Sequence, residues 1–547
     1  MSERNYPSLI PTIALVGVLF LVGIILRFTS GQVYWSGFFA MMLFYGLMFY
    51  IGSAASRFGS TKKSEDLMLA GRNMPLWIGI FTMSATWIGG GYINGTAEAT
   101  SAFGLAWVQP PWCYALSLFV GGIFFARKMR RYEFTTLLDP LEMRYGKKMA
   151  ALLFLPALSA EVFWSAAILT ALGTTFGTVL GLNSSTAIII SGAVSIAYTT
   201  LGGLWAVALT DVLQLILLFV GLLIVIPFAL PNVGGWDVAW ATYQENQGIL
   251  SNLLPPIDAW RYPEWGNSYW QWWDTALLMI FGGIPWQVYF QRVLAAKNEN
   301  TAMWLSIVAG FVSIAAAIPA IAIGVMGNVA SWTDFGVDPP AEAALILPYV
   351  VRYLTNPIVA TIALGAIAAA VMSSVDSALL SSSSLFAWNV YRPLIKPQAE
   401  SREIATVIKW GLWGIGIAAI LMALTVKSIY VLWYLCSDFV YTILFPQFVT
   451  ALFDKKANTY GAIAGFVVSF ILRFGGGEPA LHIPRLLPYP MIDDAGVVLF
   501  PFKTLAMLCG LITIIIVSRV TQKQCPSKPL QPANTTISEL ETEEIKS

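Results

Sequence analysis

Fourteen stretches of this 547-residue chain are apolar over a length that suits the core of a lipid bilayer, far more than a soluble domain could bury. A span needs about 20 apolar residues to cover roughly 30 Å of hydrocarbon. Such runs lie near residues 9–28, 35–55, 74–98, 103–126, 150–180, 186–201, 204–231, 267–295, 302–326, 357–388, 404–425, 428–452, 457–473 and 499–520. In lipid each backbone N–H and C=O must be satisfied within the protein, so the runs predict helices and an all-α polytopic membrane protein. Only 11% of residues are charged, where soluble domains carry about 25%. The first stretch reads as a retained helix, since it is long for a signal-peptide core and lacks a small-residue cleavage site.

Lysine and arginine give the spans a direction. "SRFGSTKKSEDLMLAGRN", "RKMRRYEFTTLLDPLEMRYGKKM", "QRVLAAKN", "YRPLIKPQAESREI" and "FDKKAN" fall on one side when the spans alternate. The opposite loops, 232–266 and 474–498, are rich in Trp, Pro and Gly and poor in Lys. The basic side is expected in the cytoplasm of a cell-membrane protein, with both termini and the polar tail after Val520. Asn183 opens a glycosylation sequon in an outer loop, and Asn534 opens one on the wrong side. A net charge of +1 leaves no footprint for nucleic acid. Cys113, Cys436, Cys509 and Cys525 have no zinc spacing and suggest no external disulfide, and the only histidine is His482. A histidine-dependent enzyme or metal centre is therefore not expected, nor is any resident cofactor.

Two spans are interrupted. "FTMSATWIGGGYINGTAEA" (81–99) carries Gly89 to Gly91 after Trp87, and "MIFGGIPWQVYFQRV" (279–293) carries Gly282, Gly283 and Pro285 before Trp286. Glycine weakens a helix and proline removes a donor, so in lipid such breaks persist only where the freed groups face protein, water or an ion. A packing kink would account for either break alone. Each, however, heads a group of five spans, and an odd number inverts the second group relative to the first. Matching interruptions in two halves point to a transporter's midplane site. The chain divides accordingly into 1–73 (flanking helices and loop), 74–231 (first repeat), 232–266 (outer loop), 267–452 (second repeat), 453–520 (flanking helices) and 521–547 (tail).

"YTTLGGLWAVALTDVLQ" (198–214) and "GAIAAAVMSSVDSALLSSSS" (365–384) resemble the sodium/solute symporter family. "GGIPWQVYFQRVL" (282–294), "VLWYLCSDFVY" (431–441), "FPFKTLAM" (500–507) and the first break are similar, more narrowly, to its high-affinity choline transporter branch. The likeness runs from about residue 35 to 520; the span near 9–28 departs from the branch pattern. The resemblance implies a bacterial-leucine-transporter-like fold of two inverted five-helix repeats plus flanking helices. It also implies sodium-coupled, chloride-dependent choline import by alternating access.

Choline is a quaternary ammonium without N–H donors, and aromatic faces hold such a cation by about 2 kcal/mol or more when water is excluded. Trp87 and Trp286 stand at the two breaks; the resemblance adds Tyr114, Trp164 and Trp433 to an aromatic cage. With 21 tryptophans most must serve packing or the membrane interface, as expected for Trp270, Trp272 and Trp273. Ser373, Asp376 and Ser377 share one helical face by their i, i+3, i+4 spacing. Serine bonding between helices would explain a hydroxyl stripe, whereas the resemblance implies that Ser373 and Ser374 bind one sodium with the carbonyls of Ser84 and Trp87. A second sodium would draw on Ser373, Asp376, Ser377 and Asp211. Glu98, Glu161, Asp274 and Asp438 also lie near membrane depth, and pairing with Arg292 or Lys409 or lining the pathway are both open. The chloride site has no motif, because anions bind to backbone concavities without one. Another organic cation or a zwitterion such as proline or betaine is the alternative substrate. A membrane enzyme would need an acid, base or nucleophile constellation that this chain lacks, and a ligand sensor would have no use for Asp211, Ser373 and Ser374.

Overall fold

The computed structural model describes residues 9–30, scattered positions between 35 and 51, and residues 64–180, 184–200, 204–426 and 428–532. The Asn183 and Asn534 sequons and much of the first basic loop lie outside the described residues. Apart from the two breaks and a few irregular residues, the apolar stretches are helical where they are described, and the described residues pair as β-structure only in isolated bridges. The long helices are α1 (Ile10–Ser30), α2 (Leu76–Trp87), α3 (Gly90–Phe103), α4 (Leu105–Arg131), α5 (Lys147–Leu180), α6 (Ser184–Thr199) and α7 (Leu204–Ala229). After a long connection come α8 (Ser268–Gly282), α9 (Gln287–Ala295), α10 (Glu299–Val329) and α11 (Pro357–Ile395). The chain closes with α12 (Ser401–Thr425), α13 (Ile429–Phe453), α14 (Thr459–Gly475) and α15 (Phe502–Val520). Among the described residues, eight helices are long and apolar enough to cross a membrane. The two interrupted spans appear as the pairs α2–α3 and α8–α9.

Burial sorts these helices. In their most apolar windows α11 and α13 are 80% and 83% buried, against 33% for α12 and α15. The outer helices keep large apolar side chains such as Ile318, Trp410 and Leu421 exposed, as a surface solvated by acyl chains requires. Short helices at Asp139–Tyr145, Trp236–Gln247 and Ile346–Tyr353 occupy connections that composition alone marked only as loops.

At the basic end the two interrupted spans are joined through main-chain atoms. Met74 N–H donates to Ala295 C=O at 2.9 Å, and Lys297 N–H donates to Met74 C=O at 3.0 Å. Arg72 donates to the carbonyls of Glu133 and Phe134, both at 2.9 Å. Gln287 Oε1 accepts from Leu137 N–H at 2.8 Å. At the opposite end Glu98, on α3, caps the first turn of α13: its carboxylate accepts from Ser428 Oγ (2.6 Å), Ile429 N (3.1 Å) and Tyr430 N (3.2 Å). A carboxylate there meets unpaired amides and the positive end of the helix dipole.

The other membrane-depth acids also find partners that the sequence did not identify. Asp438 takes Arg473 bidentately, at 2.5 and 2.6 Å, with Lys503 Nζ 3.4 Å away. Arg473 continues to Glu478 at 2.7 Å and to the Gly477 carbonyl at 3.0 Å. Asp274 caps α15 by accepting from Thr504 N (2.7 Å), Thr504 Oγ1 (2.5 Å) and Lys503 N (3.3 Å). Removing Arg473 would leave Asp438 with Lys503 alone and take the partner from Glu478, and breaking a buried pair costs about 3–5 kcal/mol. Arg473→Ala is therefore expected to lower the melting temperature of the purified protein sharply.

Candidate functional site

Gly89, Gly90, Gly282 and Gly283 are required by close approach rather than by backbone angle, since neither run has a positive φ. α2 ends at Ile88, whose N–H still reaches Ser84 C=O at 2.8 Å, and Gly89 is extended (φ −90°, ψ −172°). A Cβ on Gly89 would stand 1.9 Å from Ser374 Oγ, and one on Gly90 2.3 Å from Val371 Cγ2. In the second break a Cβ on Gly282 would lie 2.5 Å from Ser437 C=O, and one on Gly283 2.7 Å from Ser117 Oγ. α11 thus presses on the first interruption, and α13 and α4 press on the second.

Five aromatic rings meet where the breaks face each other. Trp286 is the common member, with ring centroids 5.7 Å from Trp87, 6.1 Å from Tyr114 and 5.2 Å from Trp164. Trp433 joins through Tyr114, stacked at 5.4 Å. All five are buried, none more than 5% exposed. The structure therefore brings together Trp87, Tyr114, Trp164, Trp286 and Trp433, from α2, α4, α5, the α8–α9 break and α13. Trp270 and Trp273 are exposed, while Trp272 is buried and donates to Ala106 C=O at 2.7 Å.

Two more rings belong to the cluster and were not anticipated. Tyr289 lies 6.0 Å from Trp87, and Tyr92 lies 5.3 Å from Trp433. Both follow a break by a few residues, the only sequence signal they carry. Tyr114 OH shares a 2.5 Å hydrogen bond with Ser437 Oγ. The indole nitrogens of Trp87 and Trp286, both amide atoms of Asn94, and the hydroxyls of Ser84, Thr96 and Ser165 are buried without a partner. A polar atom left so costs about 1–3 kcal/mol, so a concentration of them marks where a bound molecule or water is expected. On the side away from the basic loops a cavity of about 310 Å3 is lined by Trp107, Tyr430, Tyr434, Glu478, Phe502 and Lys503, among others.

An oxygen-rich cluster adjoins the first break. Ser374 Oγ lies 3.3 Å from Thr86 C=O and 3.4 Å from Ala85 C=O, in the last turn of α2 and between the two expected carbonyls of Ser84 and Trp87. Ser84 C=O, the neighbouring candidate, is engaged by Ile88 N–H. Ser373, Asp376 and Ser377 are buried on α11, and Ser377 Oγ lies 3.3 Å from Thr86 Oγ1. Asp211 is fully buried on α7 and accepts from Thr82 Oγ1 at 2.5 Å. A guanidinium not foreseen in this position stands there too. Arg292, on α9, donates to Ser377 Oγ at 2.5 Å and has Nη2 3.9 Å from Asp211 Oδ2.

A family model described as the sodium:solute symporter family matches residues 67–469. High-affinity choline transporter 1 of Drosophila melanogaster is 45% identical over 507 residues, covering 91% of this chain and 80% of that protein. High affinity choline transporter 1 of Homo sapiens is 43% identical over 516 residues, covering 91% and 87%. A sodium/glucose cotransporter of Vibrio parahaemolyticus is 24% identical, covering 75% and 79%. Among solved structures, a Na+-coupled sialic acid symporter in a substrate-bound outward-open state superposes with a TM-score of 0.72 at 19% identity, covering 89% of this chain and 97% of that one. The fold is the leucine-transporter-like one, two inverted five-helix repeats with flanking helices.

The close approach at the first break predicts a steep local penalty. Gly89→Ala forces Ser374 or α11 to move, and overpacking of this kind costs about 1–3 kcal/mol. Its melting temperature should fall by several degrees. Gly414→Ala, where a Cβ meets nothing within 4 Å, should show no loss.

Proposed function

This chain belongs to the sodium:solute symporter family, and from that premise we propose that it is a chloride-dependent symporter carrying choline into the cell with sodium. Membership makes it a transporter rather than an enzyme, with sodium as the coupling ion. The observation that carries the choline reading is the convergence of Trp87, Tyr114, Trp164, Trp286 and Trp433 around one point at the helix breaks. A methylated ammonium offers a desolvated charge with no donor, and π faces attract it without the desolvation cost that an opposing carboxylate would bring. Choline also carries one hydroxyl, which the unpartnered indole and amide atoms nearby can engage. The rings now touch one another, so substrate must part them.

The two repeats are assigned to residues 74–231 and 267–452, with the basic loops and the C-terminal tail in the cytoplasm of a cell-membrane protein. Ser373 and Ser374, with the backbone of α2 around Ser84 and Trp87, form the first sodium site. Ser373, Asp376, Ser377 and Asp211 form the second. Inward movement of each net positive charge gains about 2.3 kcal/mol per 100 mV of membrane potential, a term that choline and sodium both exploit. Chloride relieves the repulsion among cations held in one poorly screened cavity. Alternating access proceeds by parting the main-chain junction at Met74 and Ala296 on one side while the rings close on the other.

Uptake of labelled choline into proteoliposomes tests the assignment: it should require a sodium gradient and fall when gluconate replaces chloride. Transport of proline or betaine in place of choline would overturn the substrate class. Trp87→Ala should abolish uptake while Trp273→Ala leaves it largely intact. Ser374→Ala should weaken the apparent sodium affinity more than that for choline; a selective choline defect would remove it from the ion site.

A further inference from the structure

Among the described residues two buried Arg–Asp pairs stand out, and they differ in a way that assigns them different work. Arg473 and Asp438 are closed: two hydrogen bonds of 2.5 and 2.6 Å, with the rest of the guanidinium taken by Glu478 and Gly477. Arg292 and Asp211 are open. Nη2 is 3.9 Å from the carboxylate, beyond hydrogen-bond length, and Nε has no partner. Nη1 reaches only its own helix neighbours, Gln291 Oε1 at 3.1 Å and Val288 C=O at 3.4 Å. Both members of this pair are wholly buried. A buried ion pair repays its desolvation only with good geometry and satisfied donors, so the open pair is held weakly.

Its surroundings are oxygen donors of the kind a hard cation takes: the Asp211 carboxylate and the hydroxyls of Thr82 and Ser377. Arg292 Nη2 already donates to Ser377 Oγ at 2.5 Å and faces Asp211 Oδ2 at 3.9 Å, so an ion that took both oxygens would have to displace the guanidinium. A second acid is within electrostatic reach of the guanidinium. Glu161, on α5, is buried, interacts with Arg292, and has Oε2 without a hydrogen-bond partner.

We propose that Arg292 is a tethered competitor of sodium at the Asp211–Ser377 cluster, released toward Glu161 when the ion binds. Because Arg292 sits on α9, the half of the second broken helix that ends at the Met74–Ala296 junction, the exchange links ion occupancy to that junction. Sodium at Asp211 frees α9 from α7 and α11, and the guanidinium then holds α9 to α5. The two arrangements form a two-state element that ion binding biases. Arg292 is thus a positioning residue that sets sodium affinity and coupling, and it needs no contact with the organic substrate.

This inference rests on the assignment of a sodium site to Asp211 and Ser377 but not on choline, so the test leaves choline out. Purified protein is titrated with 22Na+ in a direct binding assay, and with sodium while its melting temperature is followed. Arg292→Gln removes the competitor and should tighten sodium binding by about tenfold, a typical coupling magnitude. Arg292→Lys keeps a cation and should stay near the parent. Glu161→Gln removes the second dock and should weaken sodium binding. Weaker or lost sodium binding in Arg292→Gln would mean that the guanidinium supports the site and would overturn the proposal. Should Arg292→Gln fail to fold, Glu161→Gln decides: weakened binding sustains the exchange and unchanged binding refutes it. A chain that shows these opposite shifts yet transports no choline would refute the substrate assignment alone.

Discussion

An amide or carbonyl released from a helix inside a bilayer has no water to turn to, and that constraint organises this molecule. Twice the chain interrupts a span at mid-depth, and each time neighbouring helices close on the exposed backbone. Ser374 reaches carbonyls in the last turn of α2, while Ser437 and Ser117 crowd the glycines that end α8. The deep burial of α11 and α13 follows, since these helices supply the partners. So does the composition of their inward faces, where serines are tolerated because they meet polar backbone rather than lipid.

The breaks also fix where aromatic side chains can converge. A continuous helix would present Trp87 and Trp286 on faces set by its own periodicity, whereas an extended residue at each interruption lets both rings turn toward a shared centre. Trp286 touches three of the other rings because its own extended backbone, between the turn at Gly283 and the start of α9, lifts it off the helical surface. The oxygen cluster lies beside the same break, gathered around Thr86. Cation attraction by π faces and by hydroxyl and carboxylate oxygens is therefore exerted on one small volume, and both kinds of contact hang from α2.

Much of this was legible in the chain because lipid imposes strong rules. Span length, basic loops and mid-span glycines each have one dominant physical cause, and helix positions followed within a few residues. The aromatic five were legible through family likeness, and their convergence is a property of the fold. Pairings among charges were not. Asp438 finds Arg473 35 residues away and Asp211 finds Arg292 across the two repeats, separations that no local pattern encodes. Glu98 and Asp274 became caps of helices distant in sequence, a job that any membrane-depth acid could hold. The short helices in the connections lacked the apolar length that made the spans visible.

The junction between Met74 and the stretch from Ala295 to Lys297 is built from peptide groups alone. A fastener of that kind carries no side-chain identity, so substitution at these positions changes its rim while the two bonds themselves survive. Systematic truncation to alanine would pass over it in silence. Only a residue that abolishes an N–H can unpick it. The chain has thereby entrusted the link between its two broken helices to the part of a polypeptide least open to alteration by mutation.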